Sequence, residues 1–163
     1  YSIEPPANTM LDTLMEKGFS TIAVGKIYDI FAGKGISEHV YTSGNTDGMA
    51  KALEYAKSDF EGLCFVNLVD FDMVYGHRND IKGYARALEQ FDSTLGTFIE
   101  NMRDDDLIII TADHGCDPGF IGTDHTRENV PLLAYYNGCR SFDAGGNYGF
   151  DCIADAVCKN FNV

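Results

Sequence analysis

Two short segments concentrate the residues able to hold a metal. They are Asp70-Phe71-Asp72-Met73-Val74-Tyr75-Gly76-His77 and Thr111-Ala112-Asp113-His114-Gly115, with His125 following eleven residues after His114. Three of the four histidines fall here, each beside an aspartate or a few residues after one. Neutral imidazole and carboxylate are the ligand types of divalent transition metals. The pattern predicts a metal site with room for more than one ion, and a chain that is part of an enzyme. Asp72 and His77 lie five apart around Gly76, so a bent loop must fold them together. Asp113 and His114 are adjacent and point to opposite faces of an extended strand. At a strand end before Gly115 they are either both aimed forward or serve two neighbouring ions.

Other polar residues near these segments have two readings each. Asp70 either orients a ligand histidine or caps a turn. Asp124 is a further outer partner of the same kind. Asp117, before Pro118, starts a turn. Lys26 either meets a phosphate or is an ordinary surface lysine. Arg78 and Arg127 either hold phosphate oxygens in a bidentate grip or pair with neighbouring carboxylates. His39, in Ser37-Glu38-His39-Val40, has no glycine or strand-end context and reads as structural.

The elements that must position these groups alternate between strand and helix. Asn8 is placed to cap a helix from Thr9 to Lys17, which Gly18 stops. Phe19–Val24 reads as a strand, and Gly25–Gly35 as a glycine-punctuated loop with a turn of helix. A helix follows from Asn45 or Thr46 to Ala56. Leu63–Val69 and Leu107–Thr111 are apolar runs that fit strands buried on both faces. Asp80 caps a long helix from Ile81 to about Met102. Val130–Tyr135 is a further strand, and Asp151–Asn160 a closing helix. This order predicts an α/β fold, a mainly parallel sheet with helices on both faces. Ligands collect at the carboxyl ends of strands in such sheets. Asp70 and Asp72 follow one strand and Asp113 and His114 follow another, which places them at one sheet edge.

Bulk composition narrows the function classes. At 163 residues, with 45% apolar content, the chain can bury a real core. It is treated as one domain, 1–163. The net charge of −13 and the absence of a basic run argue against nucleic acid as a partner. No apolar stretch is long enough to span a bilayer, and no signal pattern opens the chain. The five cysteines, without a C-x-x-C pair, suit a reduced cytoplasmic protein and not a cysteine zinc site. The first residue is Tyr1, and Tyr1-Ser2-Ile3-Glu4-Pro5-Pro6 reads as a linker entering a domain. The true N-terminus is expected to be either missing or processed.

Longer motifs carry a resemblance. Asn67-Leu68-Val69-Asp70-Phe71-Asp72, Tyr75-Gly76-His77-Arg78-Asn79-Asp80, Thr111-Ala112-Asp113-His114-Gly115 and Gly122-Thr123-Asp124-His125-Thr126-Arg127-Glu128 closely resemble bacterial phosphopentomutase. Gly25–Gly33 and Asn45–Met49 add to the match. The Asp-His-Gly triplet by itself is shared with the wider alkaline phosphatase superfamily, including cofactor-independent phosphoglycerate mutases. The resemblance implies an isomerase of nucleotide metabolism that moves phosphate between C1 and C5 of ribose or deoxyribose. It implies two ions, typically Mn²⁺, flanking a phosphorylated threonine. By matching position, Asp72, His77 and His125 bind one ion, and Asp113 and His114 bind the other. The nucleophilic threonine, a further aspartate and the cap domain belong to a segment preceding Tyr1 in the family. The chain is then the C-terminal portion of an incomplete alkaline-phosphatase-like core. By itself it is expected to bind one ion, to turn over no sugar phosphate, and to expose an apolar edge prone to self-association. The alternatives are another phosphomutase or phosphatase of the superfamily, or a non-catalytic metal-binding domain.

Overall fold

A computed structural model describes residues 3–137 and 148–163. Tyr1 and Ser2 of the expected linker, and Cys139, lie outside the described residues. The described chain divides into two compact units, one formed by residues 3–68 with 148–163, the other by 69–137.

The first unit is a three-stranded parallel sheet flanked by helices. Its elements are α1 (Met10–Glu16), β1 (Ser20–Val24), α2 (Ile27–Ile30), β2 (Glu38–Val40), α3 (Asn45–Ala56), β3 (Gly62–Val66) and, from the far end of the chain, α5 (Asp151–Phe161). The sheet order is β2-β1-β3, with Ile22 opposite Glu38 on one side and Cys64 on the other. The central position of β1 explains why Thr21 through Val24 are all buried. Leu11 and Leu14 of α1 are fully buried with them, and Phe19 meets Phe161 of α5 at 4.7 Å between ring centroids.

The α1 cap is Thr9, one residue after the expected Asn8. Its side chain accepts from Leu11 N, while Asp12 accepts from Thr9 N at 2.7 Å, a reciprocal capping box. Thr21, the buried polar residue of β1, exchanges hydrogen bonds with Ser37 that tie in the entry to β2. Gly25 ends β1 at φ +84°, where a Cβ would collide with the Asn67 carbonyl, so only glycine suits this position.

The second unit begins with a π-helical turn, Phe71–Tyr75, that runs into a 3₁₀ turn, Gly76–Arg78. It continues with α4 (Ile81–Ile99), β4 (Leu107–Thr111) and β5 (Leu132–Tyr136). Asp80 caps α4 as expected, its carboxylate accepting from Gly83 N at 2.8 Å. Phe71 packs against Tyr84 and Phe91 of α4, which anchors the π turn. Leu95 and Ile99 of α4 and Ile108 and Ile110 of β4 line a common apolar cavity.

The expected parallel sheet with flanking helices is present as β2-β1-β3. β4 and β5 pair antiparallel, in a sheet separate from β2-β1-β3. Among the described residues β3 and β4 share no hydrogen-bond ladder. The apolar runs of β3 and β4 are also half-buried, not fully buried. On β5, Leu133 and Tyr136 are exposed. Among the described residues no helix is long and apolar enough to cross a membrane.

Candidate metal centre

The second unit alone brings the site together. Asp72 sits in the π turn, an element that recurs at functional sites because it re-aims side chains out of helical register. His77 follows in the 3₁₀ turn. Asp113, His114 and Cys116 lie just past β4, and His125 lies on the loop before β5. An isolated bridge between Gly115 and Thr126 holds the last two segments side by side. Thr126 strengthens that join: its hydroxyl accepts from Asp117 N at 2.8 Å and donates to Glu128. Asp117 also accepts from Gly119 N at 2.7 Å, the expected turn.

Asp72 is the hub. Its Oδ1 lies 3.2 Å from His77 Nε2 and 3.3 Å from His125 Nε2. His114 stacks on His125 at 3.6 Å between ring centroids, and His77 lies 4.9 Å from His125 on the same measure. The ring tautomers follow from the partners. A carbonyl only accepts, so His77 Nδ1 must carry the proton that it donates to the Thr123 carbonyl. His114 Nδ1 faces the Gly115 carbonyl at 3.1 Å in the same way. In the neutral rings both Nε2 atoms are left as lone pairs.

The donor set fits a cation. Asp72 Oδ1 is a buried atom with no hydrogen-bond partner, although two ring nitrogens surround it. Lone pairs facing a carboxylate repel, and a divalent ion between them would convert that repulsion into coordination. Two overlapping groups of ligand atoms lie within 4.8 Å of one another: Asp72, His114 and His125, and Asp72, His77 and Cys116. Asp113 stands at the rim, 81% exposed, with Oδ1 3.7 Å from His114 Nε2.

Thus Asp72, His77, His114 and His125 converge, with Asp113 beside His114. Arg78 reaches back to the His77 carbonyl at 3.4 Å, and Arg127 is exposed. Asp124 is likewise exposed, and Asp70 directly precedes the π turn. Lys26 belongs to the other unit, where it precedes α2. His39 is there too, in β2, stacked on Tyr28 at 4.0 Å.

Sequence reasoning missed two participants. Cys116 carries a side-chain hydrogen bond with Asp72, and burial first, then that bond, pushes its thiol up to about 11. The signal was its spacing: His114 and Cys116 are two residues apart and share a face of extended chain. Asn79 was also missed. It occupies the left-handed region at φ 52°, and its amide nitrogen lies 3.2, 3.2 and 2.9 Å from the carbonyls of Pro118, Phe120 and Gly122. It clamps the loop leading to Thr123 and His125.

A half-buried carboxylate faced by imidazoles is a donor set that could hold a metal ion. The chain belongs to the Metalloenzyme superfamily, whose family model matches residues 10–163. Within curated proteins it is similar to phosphopentomutases. It is 54% identical to that of Lachnoclostridium phytofermentans over 100% of this chain and 42% of the relative. It is 58% identical to that of Carboxydothermus hydrogenoformans over 83% of this chain and 35% of the relative. The chain therefore spans less than half the length of these relatives. A solved structure of a protein from Pyrococcus horikoshii shares the α/β fold, with a TM-score of 0.67 at 19% identity over 91% of this chain and 51% of that one.

Proposed function

We propose that this chain is the C-terminal, metal-binding part of the catalytic core of a phosphopentomutase, an isomerase that moves phosphate between C1 and C5 of ribose or deoxyribose. The observation that carries the reading is the buried Asp72 Oδ1, without a hydrogen bond and faced by His77 and His125 Nε2. The identity to phosphopentomutases over the full chain supplies the substrate class, a small sugar phosphate.

In this reading Asp72, His77 and His125 hold one ion, and Asp113 with His114 contribute to a second. Both are assigned as Mn²⁺, the ion implied by the resemblance to phosphopentomutases, with the carboxylates as its favoured donors. When bound, two such ions neutralise phosphate oxygens and hold attacking and leaving oxygens in line. The protein's own part is preorganisation. Thr123 fixes the His77 tautomer, Asn79 and Thr126 hold the His125 loop, and Asp72 supplies the negative charge that the histidines lack. The nucleophilic threonine is assigned to a segment outside this chain. Location in the cytoplasm accords with the four described cysteines, all free thiols.

The test is a ribose 1-phosphate to ribose 5-phosphate assay, run on residues 1–163 and on the protein at full native length. Turnover by the longer protein, lost in Asp72→Ala and absent from 1–163, is expected. Turnover by 1–163 alone, or an Asp72→Ala protein of native activity, overturns the reading.

A further inference from the structure

The Asp72, His77 and Cys116 group is not explained by a pair of nitrogen- and oxygen-ligated ions. We propose that these three residues form a second, softer binding mode of the centre, a site for a thiophilic divalent cation of the Zn²⁺ or Cd²⁺ class that shares Asp72 with the His114–His125 group. The proposal rests on the metal reading of Asp72 and His77 given above.

Three observations converge on it. The ligand atoms of Asp72, His77 and Cys116 lie within 4.8 Å of one another, and all three residues are half-buried. Asp72 Oδ1 is buried without a hydrogen bond, and His77 Nδ1 is occupied by Thr123, so an oxygen and a nitrogen lone pair are both left for the ion. The backbone also makes room for the sulfur. Gly76 is buried, and a Cβ there would run into the Cys116 Sγ as well as the Phe71 carbonyl. A glycine between two ligands thus admits a thiol from 40 residues further on.

The chemistry separates the two modes. Thiolate is a strong ligand for Zn²⁺ and related soft ions, whereas Mn²⁺ favours carboxylate, carbonyl and water oxygen. Binding in the soft mode replaces the thiol proton by the metal and releases one proton to solvent. Because Asp72 belongs to both groups, a soft ion drawn toward Cys116 competes for the carboxylate that the hard mode needs. The predicted consequence is a centre that Zn²⁺ or Cd²⁺ captures in preference to Mn²⁺, with Cys116 setting the preference.

The experiment uses Co²⁺ as the optical probe and Zn²⁺ as competitor, on the protein at full native length, with Mn²⁺ binding followed by electron paramagnetic resonance. The native protein should show a sulfur-to-cobalt charge-transfer band that Zn²⁺ abolishes. Cys116→Ser should lack that band. Its Zn²⁺ affinity should fall at least about tenfold, the lower end of the loss seen for outer-sphere partners, with a smaller change for Mn²⁺. Cobalt binding without the band, or a band that survives in Cys116→Ser, overturns the inference and leaves the metal reading standing. Absence of both Co²⁺ and Mn²⁺ binding in the native protein overturns both.

Discussion

His77 donates its Nδ1–H to the carbonyl of Thr123, 46 residues further along the chain. This one bond decides which ring nitrogen faces Asp72, and it ties the Asp70–His77 segment to the loop that carries His125. The first prediction follows from what it leaves behind, an unpaired carboxylate oxygen. Asp72→Asn should abolish Mn²⁺ binding while stabilising the metal-free protein by about 1 kcal/mol, because a buried unsatisfied acceptor costs roughly that much or more. The comparison is urea unfolding with chelator at about pH 8, above the ordinary histidine range. A metal-free Asp72→Asn protein less stable than native would count against it.

Asn79 clamps the 118–122 loop from a left-handed backbone position. Asn79→Ala loses the clamp and strains the backbone, at a cost of about 2–3 kcal/mol. Asn79→Gly loses the clamp alone and should recover about 1 kcal/mol of that. Both should weaken Mn²⁺ binding, since the loop presents His125. Equal unfolding free energies for the two variants would show that the φ of 52° carries no strain.

Gly76→Ala places a methyl group against the Cys116 sulfur and the Phe71 carbonyl. Overpacking of this kind costs about 1–3 kcal/mol. Adding Cys116→Ala removes the sulfur, so the double variant should recover part of the loss, a coupling of at least about 0.5 kcal/mol. Strict additivity in denaturant unfolding would mean that the two residues do not share the space.

Asp12 couples the stability of the first unit to acid pH. Burial raises its pKa, but the Thr9 N–H and hydroxyl, with Lys34 at 3.9 Å, outweigh burial and hold it below the usual carboxylate range. A depressed folded pKa means stability that is present above the unfolded value of about 3.9 and lost as pH falls through the folded one. Asp12→Ala should therefore cost about 1 kcal/mol at neutral pH, as loss of a cap does. That difference should shrink below about pH 4. A gap between variant and native that is constant with pH would refute the assignment.

The periodic and punctuated parts of the chain are legible in the sequence itself. The α4 cap at Asp80, the β4 limits Leu107–Thr111 and the α3 span to Ala56 follow local rules of capping and apolar pattern, and they occur where those rules place them. The concentration of Asp72, His77, Asp113 and His114 in two segments, with His125 shortly after the second, is equally visible, because ligand identity is a property of residue type. Strand β2 is not, since Glu38, His39 and Val40 form a three-residue edge without a pattern of their own and depend on β1 for their hydrogen bonds.

What the tertiary structure alone decided is how those ligands meet. Strand pairing is non-local, so no pattern in Leu107–Thr111 or Leu132–Tyr136 says that they run antiparallel in a sheet apart from β1. Nor does local sequence place Asp72 in a π turn, or bring a sulfur from Cys116 to it through the gap left by Gly76. Side chains distant in the chain share a space only when the backbone between them has been packed, and that packing, from Phe71 on α4 to Thr126 beside Gly115, sets the distances on which metal binding depends.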